Sequence, residues 1–181
     1  LGDVYKRQIQ RIRQFLYAVF GRLDAEANTF VRCYLSKEEQ KLFYAMHEAD
    51  QFHAWRVARS AQKKYLQYDV VHSDAYILLT RCALLHDIGR EKGMADVWGK
   101  VLSVLVYRFL PHLVEYFIRE TNGHRGRIGT ALYICQYHPI LGANKLRKIG
   151  AIKEAEIIVQ HQKKPAPEDP LVLAILKEAD G

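Results

Sequence analysis

Apolar residues recur at helical spacing along almost the whole chain, and no long stretch alternates with the period of two that is typical of a half-buried strand. One apolar stripe covers residues 9–23, and similar stripes follow as far as the C-terminus. No internal repeat and no linker divides them. We therefore predict an all-α fold, a single helical bundle whose helices pack around one core.

Helix starts are marked by residues whose side chains can accept a hydrogen bond from the first free N–H groups of a helix. Ser36 has the further pattern of a capping box, because Glu39 follows it three residues later. Four helices are predicted to begin at such positions: Asp24, Ser36, Asp50 and Ser73.

The C-terminal half of the chain is punctuated by proline and glycine. Pro139 suits the first turn of a helix, so we predict that one helix runs up to Tyr137 and that another starts at Pro139 and stops at Gly150. Two more helices are expected over residues 152–161 and 171–180, with a proline-rich loop between them.

The two ends of the chain affect the domain boundaries. Residues 1–8 (LGDVYKRQ) resemble translated sequencing-adapter read-through, and we expect them to be non-native. We expect residues 9–181 to form one domain, with an N-terminal helical extension before a core of about residues 50–181. We also expect the chain to be cut short after Gly181, because the last helix looks unfinished.

Composition narrows the class of protein only modestly. The net charge of +7 suits an anionic ligand, but the basic residues are spread and form no recognised nucleic-acid-binding motif. Three separated cysteines fit reduced thiols in a cytoplasmic protein better than disulfides. The most apolar stretch, residues 101–118, is interrupted by charged residues and a proline, so no membrane span is predicted.

The candidate chemistry centres on His86 and Asp87, which follow an apolar run. An imidazole nitrogen and a carboxylate together form a ligand set for a divalent transition metal, and the carboxylate can bridge two ions. Four further potential ligands lie at wider spacing on separate predicted helices: His53, His138, His161 and Asp180. Helical bundles commonly build metal sites from side chains on facing helices.

The order His…His-Asp…His…His…Asp resembles that of the HD superfamily of metal-dependent phosphohydrolases. The resemblance covers roughly residues 50–181 and includes the segments LLHDIG at 84–89, HPILGA at 138–143, IIVQH at 157–161 and LKEAD at 176–180. The HPILGA segment is similar to one found in HD-GYP phosphodiesterases and in HD-type diadenosine tetraphosphate hydrolases. An HD-domain bundle is the fold that this resemblance implies.

The sequence also departs from those relatives. No GYP motif follows His161, so cleavage of cyclic di-GMP is not supported, and Gln162 stands where a second histidine is common. Arg90 replaces the usual lysine three residues after the metal-binding aspartate. Residues 91–137 form a longer segment than in the diadenosine tetraphosphate hydrolases, and we expect this segment to decide the substrate.

The resemblance implies a site for one or two divalent ions, with Fe, Mn, Zn, Co or Ni all compatible with the ligands. One ion would be held by His53, His86, Asp87 and Asp180, and a second by His138 and His161, with Asp87 as the bridge. The implied reaction is hydrolysis of a nucleotide or another small phosphate ester by a metal-activated water.

Basic residues beside the predicted ligands complete the implied site. Arg90 is expected to contact the substrate phosphate and to take part in catalysis with Asp87, because its forked donors match phosphate oxygens. Lys163 and Lys164 are expected to contact the same phosphate as point charges. The alternatives are a non-catalytic HD domain that senses nucleotides or binds a partner, and, with less support, a nucleic-acid-binding helical domain.

Overall fold

The structure is a computed structural model that describes residues 21–68, 73–93, 106, 114–119 and 126–181. Within these residues the regular secondary structure is helical, with loops and turns between the helices, and the only β-type pairing is one isolated bridge between Met46 and Glu91. The predicted all-α fold is therefore confirmed. The helices are α1 (Ala25–Tyr34), α2 (Lys37–Tyr44), α3 (Glu48–Tyr65), α4 (Asp74–Leu85), α5 (Val114–Ile118), α6 (Arg127–Lys148), α7 (Ile152–Ile158) and α8 (Leu171–Asp180).

Three of the four predicted helix caps are confirmed by the hydrogen bonds that they make. Asp24 Oδ1 accepts from the N–H of Ala27 at 2.8 Å, and Ser73 Oγ accepts from the N–H of Tyr76 at 3.2 Å. At α2 both halves of the capping box are present, because Ser36 Oγ accepts from Glu39 N and Glu39 Oε2 accepts from Ser36 N. These local signals alone therefore located the starts of α1, α2 and α4.

The prediction that Asp50 caps α3 was wrong. The helix begins earlier, at Glu48, and His47 is its N-cap residue, with Nδ1 accepting from the N–H of Ala49 at 3.3 Å. Asp50 lies in the first helical turn, where a negative charge is favourable beside the positive end of the helix dipole. Histidine is an uncommon N-cap residue, so no local pattern predicted that the helix starts there.

The predicted break at Pro139 was also wrong. Helix α6 continues through this residue from Arg127 to Lys148, and Pro139 lies inside it. Proline removes one hydrogen bond from a helix, but the turns on either side remain intact. Buried residues on both sides of the proline, among them Leu132 and Leu146, hold the two halves in one packed helix.

The structure describes only part of the N-terminal apolar stripe (residues 9–23) and only part of the long central segment (residues 91–137). Residues 1–20 lie outside the described residues, and residues 21–24 are not helical, so the predicted helix over residues 9–23 does not extend to its expected end. Most of residues 94–125 also lies outside the described part. Val106, Val114, Ile118 and Leu132 form a small buried cluster where α5 packs against α6.

The core places the end of α4 at the centre of the bundle. Helices α3 and α4 pack along each other, α8 packs against both, and α7 packs against α4 and α6. Side chains at the C-terminal end of α4 and just beyond it are completely buried: Leu84, Leu85, His86 and Ile88. A polar pair at this position must therefore find partners inside the protein.

A buried ion-pair network fixes α2 and α7 to α4. Arg81 Nη2 lies 2.6 Å from Glu39 Oε1 and 3.1 Å from Glu154 Oε1, and both carboxylates are almost fully buried. Burial by itself would lower the pKa of Arg81, but the hydrogen bond with Glu39 and the charge of Glu154 raise it above its ordinary value. The network holds together three helices that surround the end of α4.

In the described ranges, every helix is too short or too polar to cross a membrane.

Candidate metal centre

All six of the predicted ligands converge at one place in the bundle. They form two groups of three, and within each group the ligand atoms lie within 4.8 Å of one another. The first group contains His53, His86 and Asp180, and the second contains Asp87, His138 and His161. Residues up to 127 positions apart in sequence are thus brought into direct contact.

The first group lies between α3, α4 and α8 and is partly open to solvent. Asp180 Oδ1 is 2.9 Å from His53 Nε2 and 3.3 Å from His86 Nε2. The side chains of His53 and Asp180 are 40% and 27% exposed, whereas that of His86 is 1% exposed. A small molecule can therefore reach this group from the side of α3 and α8.

The second group is buried between the end of α4, the middle of α6 and the turn after α7. His138 Nε2 is 3.0 Å from Asp87 Oδ1 and 3.3 Å from His161 Nε2. His161 was predicted at the end of its helix, but α7 ends at Ile158 and His161 lies in the following turn. The three side chains form a compact site that is closed to bulk solvent.

Asp87 connects the two groups. Its Oδ1 atom faces His138, while its Oδ2 atom is 3.5 Å from Nε2 of His86, which belongs to the first group. The rings of His86 and His161 are also close, with centroids 5.2 Å apart. The two groups are therefore halves of one centre, and the carboxylate of Asp87 is oriented to serve both.

Three of the four histidine rings of the centre are oriented by the same kind of hydrogen bond to the backbone. In each, Nδ1 lies within hydrogen-bond distance of the carbonyl oxygen three residues earlier: Ala83 O for His86 at 2.9 Å, Cys135 O for His138 at 2.9 Å and Ile158 O for His161 at 2.7 Å. Because a carbonyl can only accept, Nδ1 must carry the proton. In the neutral ring Nε2 is then an acceptor, and in all three residues it faces the centre.

These acceptors need a hydrogen-bond donor or a cation as a partner, and one bound cation can serve several of them. His138 Nε2 and His161 Nε2 face each other at 3.3 Å, although two lone pairs cannot form a hydrogen bond, and the buried Nε2 of His86 makes no hydrogen bond. A buried polar atom without a partner is costly, and a divalent cation would satisfy such atoms. Imidazole and carboxylate ligands suit a transition metal, so these residues fit the divalent metal ion that the sequence predicts.

The electrostatics of the centre also favour a cation. Burial tends to lower the pKa of His86, but the carboxylates of Asp87 and Asp180 outweigh it and raise the pKa to about 9. Without a metal, Nε2 of His86 therefore carries a proton at neutral pH, and a bound cation would take the place of that proton. Burial and the charge of His86 lower the pKa of His161 to about 4, so this ring stays neutral. Burial opposes ionisation of Asp87 and Asp180, yet neighbouring basic side chains hold both pKa values below the ordinary range.

Arg90 lies at the edge of the centre, where the sequence predicts a substrate contact. Its Nη1 atom is 3.2 Å from Asp87 Oδ2, and its Nη2 atom is 3.3 Å from His138 Nε2. The Nε atom is buried and has no hydrogen-bond partner. Lys163 and Lys164 are exposed and follow His161 in the turn, but no contact joins their ammonium groups to the ligands.

The turn that carries Asp87 is fixed on two sides. Lys145 on α6 donates to the carbonyl of Ile88 at 3.0 Å and lies 2.6 Å from Glu91 Oε1. The N–H of Lys92 donates to Ala45 O at 2.9 Å, in the loop before α3. These bonds hold the turn against α6 and against the start of the helix that carries His53.

Gly89 permits the close approach of this turn to α6. A Cβ atom at position 89 would lie 2.2 Å from the carbonyl oxygen of His138 and 2.7 Å from its Cα atom. Such distances are impossible without moving the backbone, so only glycine fits here. The turn therefore reaches α6 at His138 itself, and this contact brings Asp87 next to that histidine.

Comparisons of this chain with protein-family models, with curated proteins and with solved structures found no match.

Proposed function

We propose that the protein is a metal-dependent phosphohydrolase of the HD type, acting on a nucleotide or another small phosphate ester. The observation that carries the proposal is the convergence of six ligands in two groups that share Asp87. The chain order of these ligands is the one that resembles the HD superfamily. A cytoplasmic location remains a prediction from the scattered cysteines.

The six ligands would bind two metal ions. His53, His86 and Asp180 would hold one ion, and His138 and His161 the other, with Asp87 between them. Divalent ions bound there would polarise a phosphate oxygen and lower the pKa of a water molecule, which supplies the nucleophile near neutral pH. The hydrogen bonds from the Nδ1 atoms to buried backbone carbonyls keep the histidine rings in place and leave Nε2 free to bind metal.

Arg90 is suited to bind the substrate phosphate. Its guanidinium group already lies beside Asp87, and phosphate oxygens can accept from its forked donors, including the unpaired Nε. The half-exposed side of the first group provides the approach for the substrate. Lys163 and Lys164 would add positive charge near that approach.

Hydrolysis should depend on the buried ligands and on bound metal. We expect metal-loaded protein to release phosphate or a nucleoside monophosphate from at least one member of a panel of nucleotides and phosphate esters. His86→Ala should lower that activity by at least about 100-fold, because removing even a group that supports a ligand costs metal sites 10–100-fold. Phosphate release and chromatography of the products are the measurements.

The matched control is His47→Asn, which changes a histidine outside the centre and keeps a side chain that can cap α3. This variant should retain wild-type activity. Absence of hydrolysis across the panel by metal-loaded protein contradicts the proposal. If such protein binds a nucleotide tightly without turnover, the non-catalytic nucleotide-sensing domain becomes the better account.

A further inference from the structure

We propose that Pro139 is a positioning residue for the metal centre, because it releases the carbonyl of Cys135 to orient the ring of His138. This inference rests on the proposed metal centre. It assigns a role to a residue that carries no ligand atom. The role follows from the place of the proline inside a continuous helix.

In a regular helix the carbonyl of residue 135 accepts from the N–H of residue 139. Residue 139 is a buried proline within α6 and has no N–H. The proline ring also displaces the carbonyl four residues earlier from its usual direction. His138 Nδ1 lies 2.9 Å from this same oxygen. The histidine therefore uses the acceptor that the neighbouring proline leaves free.

The other two oriented histidines need no such residue. His86 directly follows α4, and His161 lies in the turn after α7, so both are near helix ends. The last four carbonyls of a helix lack N–H partners within it, and Ala83 O and Ile158 O belong to that class, although Ile158 O also accepts at 3.3 Å from the N–H of His161, which lies outside α7. His138 lies in the middle of a 22-residue helix, where a carbonyl is normally shared with the N–H four residues later, and proline removes that competing donor.

The orientation of the His138 ring decides where its Nε2 atom lies. With the proton on Nδ1, the Nε2 atom of His138 is an acceptor that faces Asp87, His161 and the donor Nη2 of Arg90. If the Cys135 carbonyl is shared with a second donor, the bond to Nδ1 weakens and the ring gains freedom to turn or change tautomer. Both changes take Nε2 away from the second group of ligands.

The variant Pro139→Ala tests whether Pro139 orients the His138 ring or only packs against its neighbours. Alanine restores the N–H at position 139 and is the strongest helix former, so the helix itself is favoured. The loss of ring contacts acts in the opposite direction, and we expect the melting temperature of the metal-free protein to be unchanged or higher. Affinity for zinc should nevertheless fall by about tenfold or more, in the range seen when a group that orients a ligand is removed.

Zinc affinity can be measured by competition with a chromophoric chelator. The matched control is Ile140→Ala, which truncates the next residue of α6, an exposed side chain, and leaves the backbone donors unchanged. This control should bind zinc like the wild type. A loss of affinity without a loss of melting temperature, confined to Pro139→Ala, is the result expected from a positioning role.

Nuclear magnetic resonance of the zinc-loaded protein provides a second readout. In the wild type, the Nδ1 protons of His86, His138 and His161 should all be observed and slow to exchange with solvent. In Pro139→Ala only the proton of His138 should exchange faster or disappear, because the other two histidines have carbonyl partners at helix ends.

Equal zinc affinity and equal protection of the His138 proton in Pro139→Ala and wild type overturn the inference. A uniform loss at all three histidines also overturns it, because that pattern indicates general loosening of the fold. If the wild type itself binds no zinc, the proposed metal centre fails rather than this inference alone. The competition assay on the wild type therefore distinguishes the two failures.

Discussion

Asp87→Asn should reduce the metal affinity of both groups of ligands and abolish hydrolysis. The carboxylate has one oxygen 3.0 Å from His138 Nε2 and the other 3.5 Å from His86 Nε2, so its two oxygens face different halves of the centre. An amide has a single acceptor oxygen and no charge. Changes to supporting groups cost metal sites 10–100-fold, so we expect this loss to exceed about 100-fold.

Metal content after dialysis against a defined metal buffer is the measurement for Asp87→Asn, together with phosphate release. The control is Asp74→Asn, an exposed acid in the first turn of α4, the helix that precedes Asp87, and its replacement should cost no more than about 1 kcal/mol. Circular dichroism should show wild-type helicity for both variants. Wild-type metal content in Asp87→Asn would show that the carboxylate does not bridge the two groups.

Gly89→Ala should lower both the stability of the protein and its affinity for zinc, although residue 89 carries no ligand atom. The added methyl group would lie 2.2 Å from the carbonyl oxygen of His138, so α6 and the turn must move apart. Overpacking of this kind costs about 1–3 kcal/mol of stability. The same movement lengthens the 3.0 Å contact between Asp87 and His138, and zinc affinity should fall by at least about tenfold.

Chemical denaturation and zinc competition measure the two effects of Gly89→Ala. The matched control is Gly126→Ala at the start of α6, where a Cβ atom would meet nothing within 4 Å. That variant should keep its zinc affinity near the wild-type value and should lose no more than about 1 kcal/mol of stability, because alanine is a poorer N-cap residue than glycine. Unchanged affinity in Gly89→Ala would mean that the close approach at His138 does not set the ligand geometry.

Sequence reasoning predicted most of the helices because their signals are local. The caps Asp24, Ser36 and Ser73 each accept from an N–H group three residues away, so their effect is visible in a short stretch of sequence. Pro139 misled the prediction because its usual effect on a helix is overridden by packing on both sides. His47 was not predicted as a cap because this residue type seldom acts as one.

The membership of the centre was predictable, but its internal arrangement was not. The six residues could be selected by type and order, yet nothing local indicates that Asp180 contacts His53 rather than His138. The orienting carbonyls of Ala83, Cys135 and Ile158 are backbone atoms, so the sequence carries no direct signal for them. The tight contact at Gly89 likewise depends on how α4 and α6 pack.

Anomalous X-ray diffraction from crystals of the zinc-loaded protein would locate the bound ions. We expect two peaks, one between His53, His86 and Asp180 and the other between Asp87, His138 and His161. The Nε2 atoms of His86, His138 and His161 should lie about 2.1 Å from the nearer peak. If crystals grown with zinc show no peak at this centre, these six residues do not form a metal site.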